Sequence, residues 1–430
     1  MGPDLTSAIE PGTAARGRAG SYAWLVFAVT TGLLLSDYMS RQVLNAIFPL
    51  LKVDWLLSDT ALGSLVGIVA VMVGILTVPL SLLADAVGRV KSIAAMALLW
   101  NLATLGCGLA TGYGQMFVAR LMVGVGAAAF GGVGAAVLMG VFPASMRSTI
   151  NGAFLAGSIF GSVLGLALGG IIAAHFGWRT AFIVMATFGI MLALCYPLLV
   201  SDAAGAEPAA AEAKRQLLTW TGIRGVAAEL FATPSLVWAL IGSGLQLTVI
   251  ASFIAWMPSF LHRDYAMATH TADAVGSVFV LIAGLGMILC SLVADRSARL
   301  KATRKATMSA IYCFLTTGFL AIAFLLPHGL AQLALIGFAM FFSGGAAGPA
   351  GAIAADTSRE AVRATVMALG TLTNNLLGLA PGPILVGLIA DHSDLTTALR
   401  TIPVIGLGAA VAFLIVTRHY SRDTRRLPSL

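Results

Sequence analysis

Long apolar stretches recur from one end of this chain to the other, and that recurrence decides what it can become. They fall at about 23–50, 60–84, 92–111, 115–139, 147–173, 179–200, 234–260, 273–294, 306–326, 330–354, 363–389 and 398–418. Each is long enough to cross a hydrocarbon core of ~30 Å. A soluble alternative fails on charge. Only 10% of the 430 residues are charged, against about 25% in an ordinary soluble domain, too few to coat a water-facing surface. In hydrocarbon every backbone N–H and C=O must be satisfied internally, so the stretches must be helices. The sequence therefore predicts an all-α protein of the lipid bilayer with twelve transmembrane helices.

One long polar break, 201–233, divides these stretches six and six. It holds Asp202, Glu207, Pro208, Glu212, Lys214 and Arg215. The expected layout is a tail at 1–22, a six-helix half at 23–200, the linker at 201–233, a second half at 234–418 and a tail at 419–430. Within the linker, Leu217–Phe231 reads as an amphipathic surface helix. With the N-terminus cytoplasmic, 19 of the 25 Lys and Arg residues fall on the cytoplasmic side. Lys52, Arg179, Arg263 and Arg400 fall outside, and Arg41 and Arg120 inside spans. The positive-inside rule then puts both termini in the cytoplasm.

The same dispersal argues against nucleic acid despite a net charge of +7, because a nucleic-acid binder gathers its cations on one face. Cys107, Cys195, Cys290 and Cys313 lie far apart with no CxxC spacing, which argues against a metal or a disulfide. The glycines around Gly124–Gly134 follow no strand and lack the dinucleotide spacing, so no cofactor is expected. The first twenty residues lack the apolar core of a signal peptide. The Ala/Gly-rich composition suits a bacterial inner membrane.

The chain also repeats itself. Ser81-Leu82-Leu83-Ala84-Asp85-Ala86-Val87-Gly88-Arg89-Val90-Lys91 ends the second span, and Ser291-Leu292-Val293-Ala294-Asp295-Arg296-Ser297-Ala298-Arg299-Leu300-Lys301 ends the eighth. A second pair, Gly165–Ile171 and Gly378–Ile384, recurs at nearly the same offset. Two matches at one offset imply two homologous halves, and parallel repeats of this kind place a substrate site between them near the midplane.

Asp85-x-x-Gly88-Arg89-x-Lys91 resembles the cytoplasmic signature of the major facilitator superfamily of transporters. Arg120-x-x-x-Gly124-x-Gly126 resembles its fourth-helix motif. Gly157-x-x-x-Gly161-x-x-x-Gly165-x-x-x-Gly169-Gly170, followed by Gly177-Trp178-Arg179-x-Ala181-Phe182, resembles its fifth-helix motif. Ser58-Asp59-Thr60-x-Leu62-Gly63 and Gly382-Pro383-x-Leu385-Val386-Gly387-Leu388 look like the spinster-like group, and the Arg41 and Arg120 pair like the symporters of sugar acids and other carboxylates. The departures are Ser81 and Ala298, where the signature has Gly, and Ser40 and Ala127, where the sugar-acid symporters carry acids. The resemblance implies alternating access, with Asp85, Gly88, Arg89, Asp295 and Arg299 as a conformational latch between the halves.

Charge inside a span is the sharpest chemical clue, since each costs at least ~2.5 kcal/mol at mid-helix unless paired or hydrated. Asp37, Arg41 and Asn45 follow at i, i+4 and i+8, on one helix face. Arg120 joins them from the fourth span, so the core of the first half carries one acid and two guanidinium groups. An arriving anion would complete the balance, and Asp37 is the candidate proton carrier. Tyr38, Gln246, Asn374 and Asn375 complete the expected substrate-binding set. The Gly157–Gly169 stripe, with its four-residue period, should let a second helix approach closely.

These readings converge on a secondary transporter of a small organic anion, a carboxylate or sugar acid, that works as a monomer. The alternative is an exporter of an amphipathic lipid-like or drug-like molecule. No HExxH, G-x-S-x-G or clustered Cys/His points to an enzyme.

Overall fold

The computed structural model describes residues 20–143, 145–201, 233–358 and 360–426. The N-terminal tail through residue 19, the polar break 202–232 with its amphipathic stretch, and the last four residues lie outside the described residues.

Among the described residues twelve helices are long and apolar enough to span a bilayer. They are α1 (Ser21–Ala46), α2 (Asp59–Val87), α3 (Arg89–Leu109), α4 (Tyr113–Val141), α5 (Thr149–Phe176) and α6 (Trp178–Leu199) in the first half. The second half holds α7 (Pro234–Asp264), α8 (Thr269–Ala298), α9 (Arg304–Ala323), α10 (Leu330–Asp356), α11 (Thr365–His392) and α12 (Leu395–Arg425). Twelve crossings bring the start of α1 and the end of α12 to one face, called here the terminal face. The α1–α2, α7–α8 and α11–α12 connections lie at the far face, where a short helix, Phe48–Trp55, precedes α2.

Irregular turns are compensated locally, as hydrocarbon requires. The hydrogen-bond ladder of α4 breaks at Ala128–Ala129. Thr77 of α2 donates its hydroxyl to the Ala128 carbonyl at 2.8 Å. In α11 a π turn runs over Asn374–Leu379, and the Ala380 N–H reaches back to the Asn375 carbonyl. Pro381 and Pro383 follow and bring no N–H of their own.

The glycine stripe of α5 finds its partner in α1, within the same half. Gly157, Gly161, Gly165 and Gly169 meet Thr31, Leu35, Met39 and Val43 in turn, so the four-residue ridge of one helix seats along the same ridge of the other. A Cβ on Gly165 would sit 2.6 Å from the Met39 Cα. The halves themselves meet along α2 against α11 and α5 against α8. In the second, Ile159 lies over Gly284 and Leu166 over Gly276.

The two copies of the internal repeat end differently. Gly88 turns the chain from α2 into α3 at φ +112°, a conformation that side chains avoid. Ala298 occupies the matching place in the second copy as the last residue of α8, and Arg299 after it is still right-handed at φ −60° and ψ −28°. The break between α8 and α9 then falls in the turn at 299–303.

Gly165→Val should force α1 and α5 apart and cost about 1–3 kcal/mol, as overpacking does. A Gly131→Ala control, which meets nothing within 4 Å, should be neutral. Thermal unfolding of the detergent-purified variants checks both.

Candidate functional site: a cavity between the halves

A cavity of about 300 Å³ lies between the two halves. Its polar wall comes from the first half: Tyr38, Arg41, Gln42 and Asn45 of α1, Arg120 of α4 and Ser162 of α5. The second half contributes Leu247, Ile250, Ala251, Ile254 and Ala255 of α7 with Leu379 and Pro383 of α11, all apolar.

The i, i+4 spacing of α1 does what it predicts. The Arg41 guanidinium binds Asp37 in bidentate fashion, Nε to Oδ1 at 2.9 Å and Nη2 to Oδ2 at 2.8 Å. Arg41 also stacks on Tyr38, 5.2 Å from the ring centroid. Asp37 is buried behind this pair and does not line the cavity. One turn on, Asn45 donates to the Gln42 amide oxygen at 2.6 Å, while its own amide oxygen is buried without a partner.

Arg120 is buried too, at 1% exposure. Its Nε donates to the Leu65 carbonyl at 3.2 Å and its Nη1 to the Ser40 carbonyl at 3.1 Å. Among the described residues no carboxylate forms an ion pair with it. Among the described residues, the core of the first half therefore holds one neutralised pair and one guanidinium solvated by backbone dipoles. Gln42, absent from the sequence-based set, belongs to the site. Its signal was available, as a polar side chain beside Arg41 in an apolar run.

The second-half amides do not gather here. Gln246 is buried against α9 and α10, donating to the Thr316 hydroxyl and the Ser343 carbonyl, both at 3.3 Å. Asn375 donates to the Thr371 carbonyl at 2.9 Å, one turn back along α11. Asn374 lines a separate, smaller cavity of about 120 Å³ with Ser243 of α7 and Ala350 of α10. Trp256 is fully buried, with its indole N–H on the Pro383 carbonyl at 3.0 Å.

At the terminal face Arg89 donates to Asp85 at 3.2 Å across the Gly88 corner. Asp295 and Arg299 are exposed, and no ion pair joins them among the described residues.

The far face is sealed by charges drawn from both halves. Asp59, at the start of α2, accepts two hydrogen bonds from Arg263 at the end of α7, at 2.7 and 2.8 Å. Lys52 joins at 2.7 Å. From α11, Asp391 accepts the backbone N–H groups of Asp59 at 2.7 Å and Thr60 at 2.9 Å, so it caps the positive end of α2 from across the interface. Beneath this network Gly63 lies against the Pro383 carbonyl, and Gly387 against that of Asp59. The two segments with spinster-like character, Ser58–Gly63 and Gly382–Leu388, are thus opposite walls of one seam.

Twelve spans in two halves, a partly polar cavity between them and one sealed face define a membrane transporter. A sequence model of the Major Facilitator Superfamily matches residues 30–383, and the chain belongs to that family. It is 24% identical over 425 residues to the probable L-galactonate transporter of Escherichia coli K12, covering 92% of this chain and 91% of that one. It is 25% identical over 362 residues to the probable sphingolipid transporter spinster homolog 3 of Arabidopsis thaliana, covering 75% and 69%. The fold superposes on a bacterial homolog of the human lysosomal transporter Spinster, in an inward-facing and occupied conformation, with a TM-score of 0.77. That match has 18% identity and covers 95% of this chain and 98% of that one.

Arg263→Gln should loosen the far face. Loss of charge-assisted hydrogen bonds worth about 1.5–3 kcal/mol raises the open-to-closed ratio roughly ten- to hundredfold. A cysteine introduced at the buried Leu62 of a Cys195→Ser protein should then react correspondingly faster with a water-soluble thiol reagent.

Proposed function

We propose that this protein carries a small organic anion with an apolar body across a bacterial inner membrane by alternating access, as a monomer with both termini in the cytoplasm. The observation that carries this reading is Arg120, a buried guanidinium without a carboxylate partner, on the wall of the cavity beside Arg41. A ligand carboxylate would supply the missing negative charge, and Arg is suited to bind it through parallel N–H bonds. Gln42, whose amide oxygen is held by Asn45 so that its N–H groups are left to donate, and Tyr38 would orient the ligand.

The opposite wall narrows the class. A polyhydroxylated acid would bring hydroxyl groups to Leu247, Ile250 and Ile254, where nothing returns their hydrogen bonds, at a cost for each group left unpaired. An aromatic or unsaturated carboxylate, charged at one end and flat and apolar at the other, matches both walls. The amphipathic-lipid reading draws on that apolar wall and on the spinster-like relatives. At about 300 Å³, however, the cavity stands at the low end for drug-sized ligands, too small to enclose a long acyl chain.

Asp37 is the proton carrier in this reading. Substrate arriving at Arg41 competes with Asp37 for the guanidinium, and a carboxylate released from its pair can take up a proton. Asp85, Gly88 and Arg89 serve as the terminal-face latch, one-sided because Asp295 and Arg299 make no matching pair. Gln246 and Asn375 are assigned to packing.

The test is thermal stability against a panel of aromatic carboxylates, sugar acids, cations and lysolipids. A ligand at a hundred times its Kd stabilises by about 2.7 kcal/mol. Aromatic or unsaturated carboxylates should give that shift, and Arg41→Ala and Arg120→Ala should each abolish it while the proteins remain folded. Stabilisation by lysolipids or cations alone, unaffected by either substitution, would reject the anion assignment.

A further inference from the structure

Asp273 lies in the first turns of α8 at the far face, and it is fully buried. Among the described residues neither carboxylate oxygen has a hydrogen-bond partner. The side chain presses on Gly170 of α5, where even a Cβ would collide with it. The contact therefore crosses the boundary between the halves, inside the seam that must part when the far face opens.

An ionised carboxylate with no donor and no counter-ion is not stable in such a place, and it neutralises instead. The N-terminal end of α8 favours the anion, but that effect is smaller than the desolvation it opposes. No neighbouring charge offsets it. On α5, His175 is exposed and hydrogen-bonds the Ile171 carbonyl. On α7, His262 is held by the Met267 carbonyl, Arg263 by Asp59, and Asp264 accepts from Thr396. On α1, Arg41 is committed to Asp37 and stacked on Tyr38. On α9 and α10, Tyr312 bonds the Cys290 carbonyl, Cys313 is a buried free thiol, and Lys305 pairs with Asp356 toward the terminal face. His270 of α8 itself is exposed.

We propose that Asp273 is a proton-binding site coupled to closure of the far face, protonated while α5 and α8 are packed and ionised when they separate. On opening, water reaches the carboxyl group, its O–H bond breaks and the proton passes to that water. On closing, a proton must be taken up before Gly170 can seat. The closed state thus holds one more proton than the open state, independently of the substrate. This rests on alternating access and on none of the substrate assignment above.

Its pH response opposes that of the Asp59 network. Acid that protonates Asp59 weakens the seal, whereas acid that protonates Asp273 permits it. Over the range in which Asp59 stays ionised, raising the pH should open the far face, by up to tenfold in the open-to-closed ratio per unit for one linked proton.

The experiment places spin labels at Leu56 and Leu330, both strongly exposed at the far face, in a Cys195→Ser protein in lipid nanodiscs. Their distance distribution is followed from about pH 6 to pH 9, a window above the usual carboxylate range. The wild-type background should shift toward long distances as pH rises. Asp273→Asn, which mimics the neutral acid, and Asp273→Ser should remove most of that slope and favour the closed population. A slope unchanged in both Asp273 variants overturns the proposal, as does a wild-type distribution that moves without depending on pH. Labels that never separate at any pH would instead overturn the alternating-access reading.

Discussion

A guanidinium in the middle of a bilayer must be solvated by protein, and the arrangement of the first half depends on how Arg120 is solvated. It donates to backbone carbonyls of α1 and α2, so one side chain of α4 ties three helices at the cavity wall. Each tied helix is fixed again elsewhere: α1 by the glycines of α5, and α2 by its seam with α11. A carbonyl dipole solvates a cation without neutralising it. The fold therefore keeps a positive potential at the cavity even though Arg41 is already paired.

The two walls of that cavity record how far the halves have diverged since they were one sequence. The first half kept the charges, the left-handed corner at Gly88 and the Asp85–Arg89 pair. In the second half Ala298, the last residue of α8, stands in place of that glycine, and Gln246 is turned inward to hold α7 to α9 and α10. The charged side chains that line the cavity come from the first half, whereas the second half lines it with apolar groups alone.

Much of the fold was legible in the sequence because bilayer thickness and backbone satisfaction act locally, on runs of twenty residues. The Asp37–Arg41 pair was legible for the same reason, being one helical turn. What could not be read depends on the relative placement of distant segments. Asp59 and Arg263 are 204 residues apart, and each in isolation looks like an ordinary interfacial charge at the end of a span. Asp273 gave the same impression, since its burial comes from α5 packing over it. Periodicity places Gln246, Asn374 and Asn375 within spans, but it does not say whether an amide faces the other half or its own helices.

The π turn at Asn374–Leu379 holds one residue more than an α-helix of the same rise would need. Everything beyond it in α11 is rotated by that surplus, about 100° at 3.6 residues per turn. Gly382, Gly387 and Asp391 all lie beyond it. The face that α11 offers to α2, and with it the carboxylate that caps Asp59 and Thr60 from three turns further on, is set by the count of residues in this turn. Chain length in this stretch is a coordinate of the far-face seal. Substitutions can be absorbed there, but a single deletion would turn the seal away from its partner without altering one residue in it.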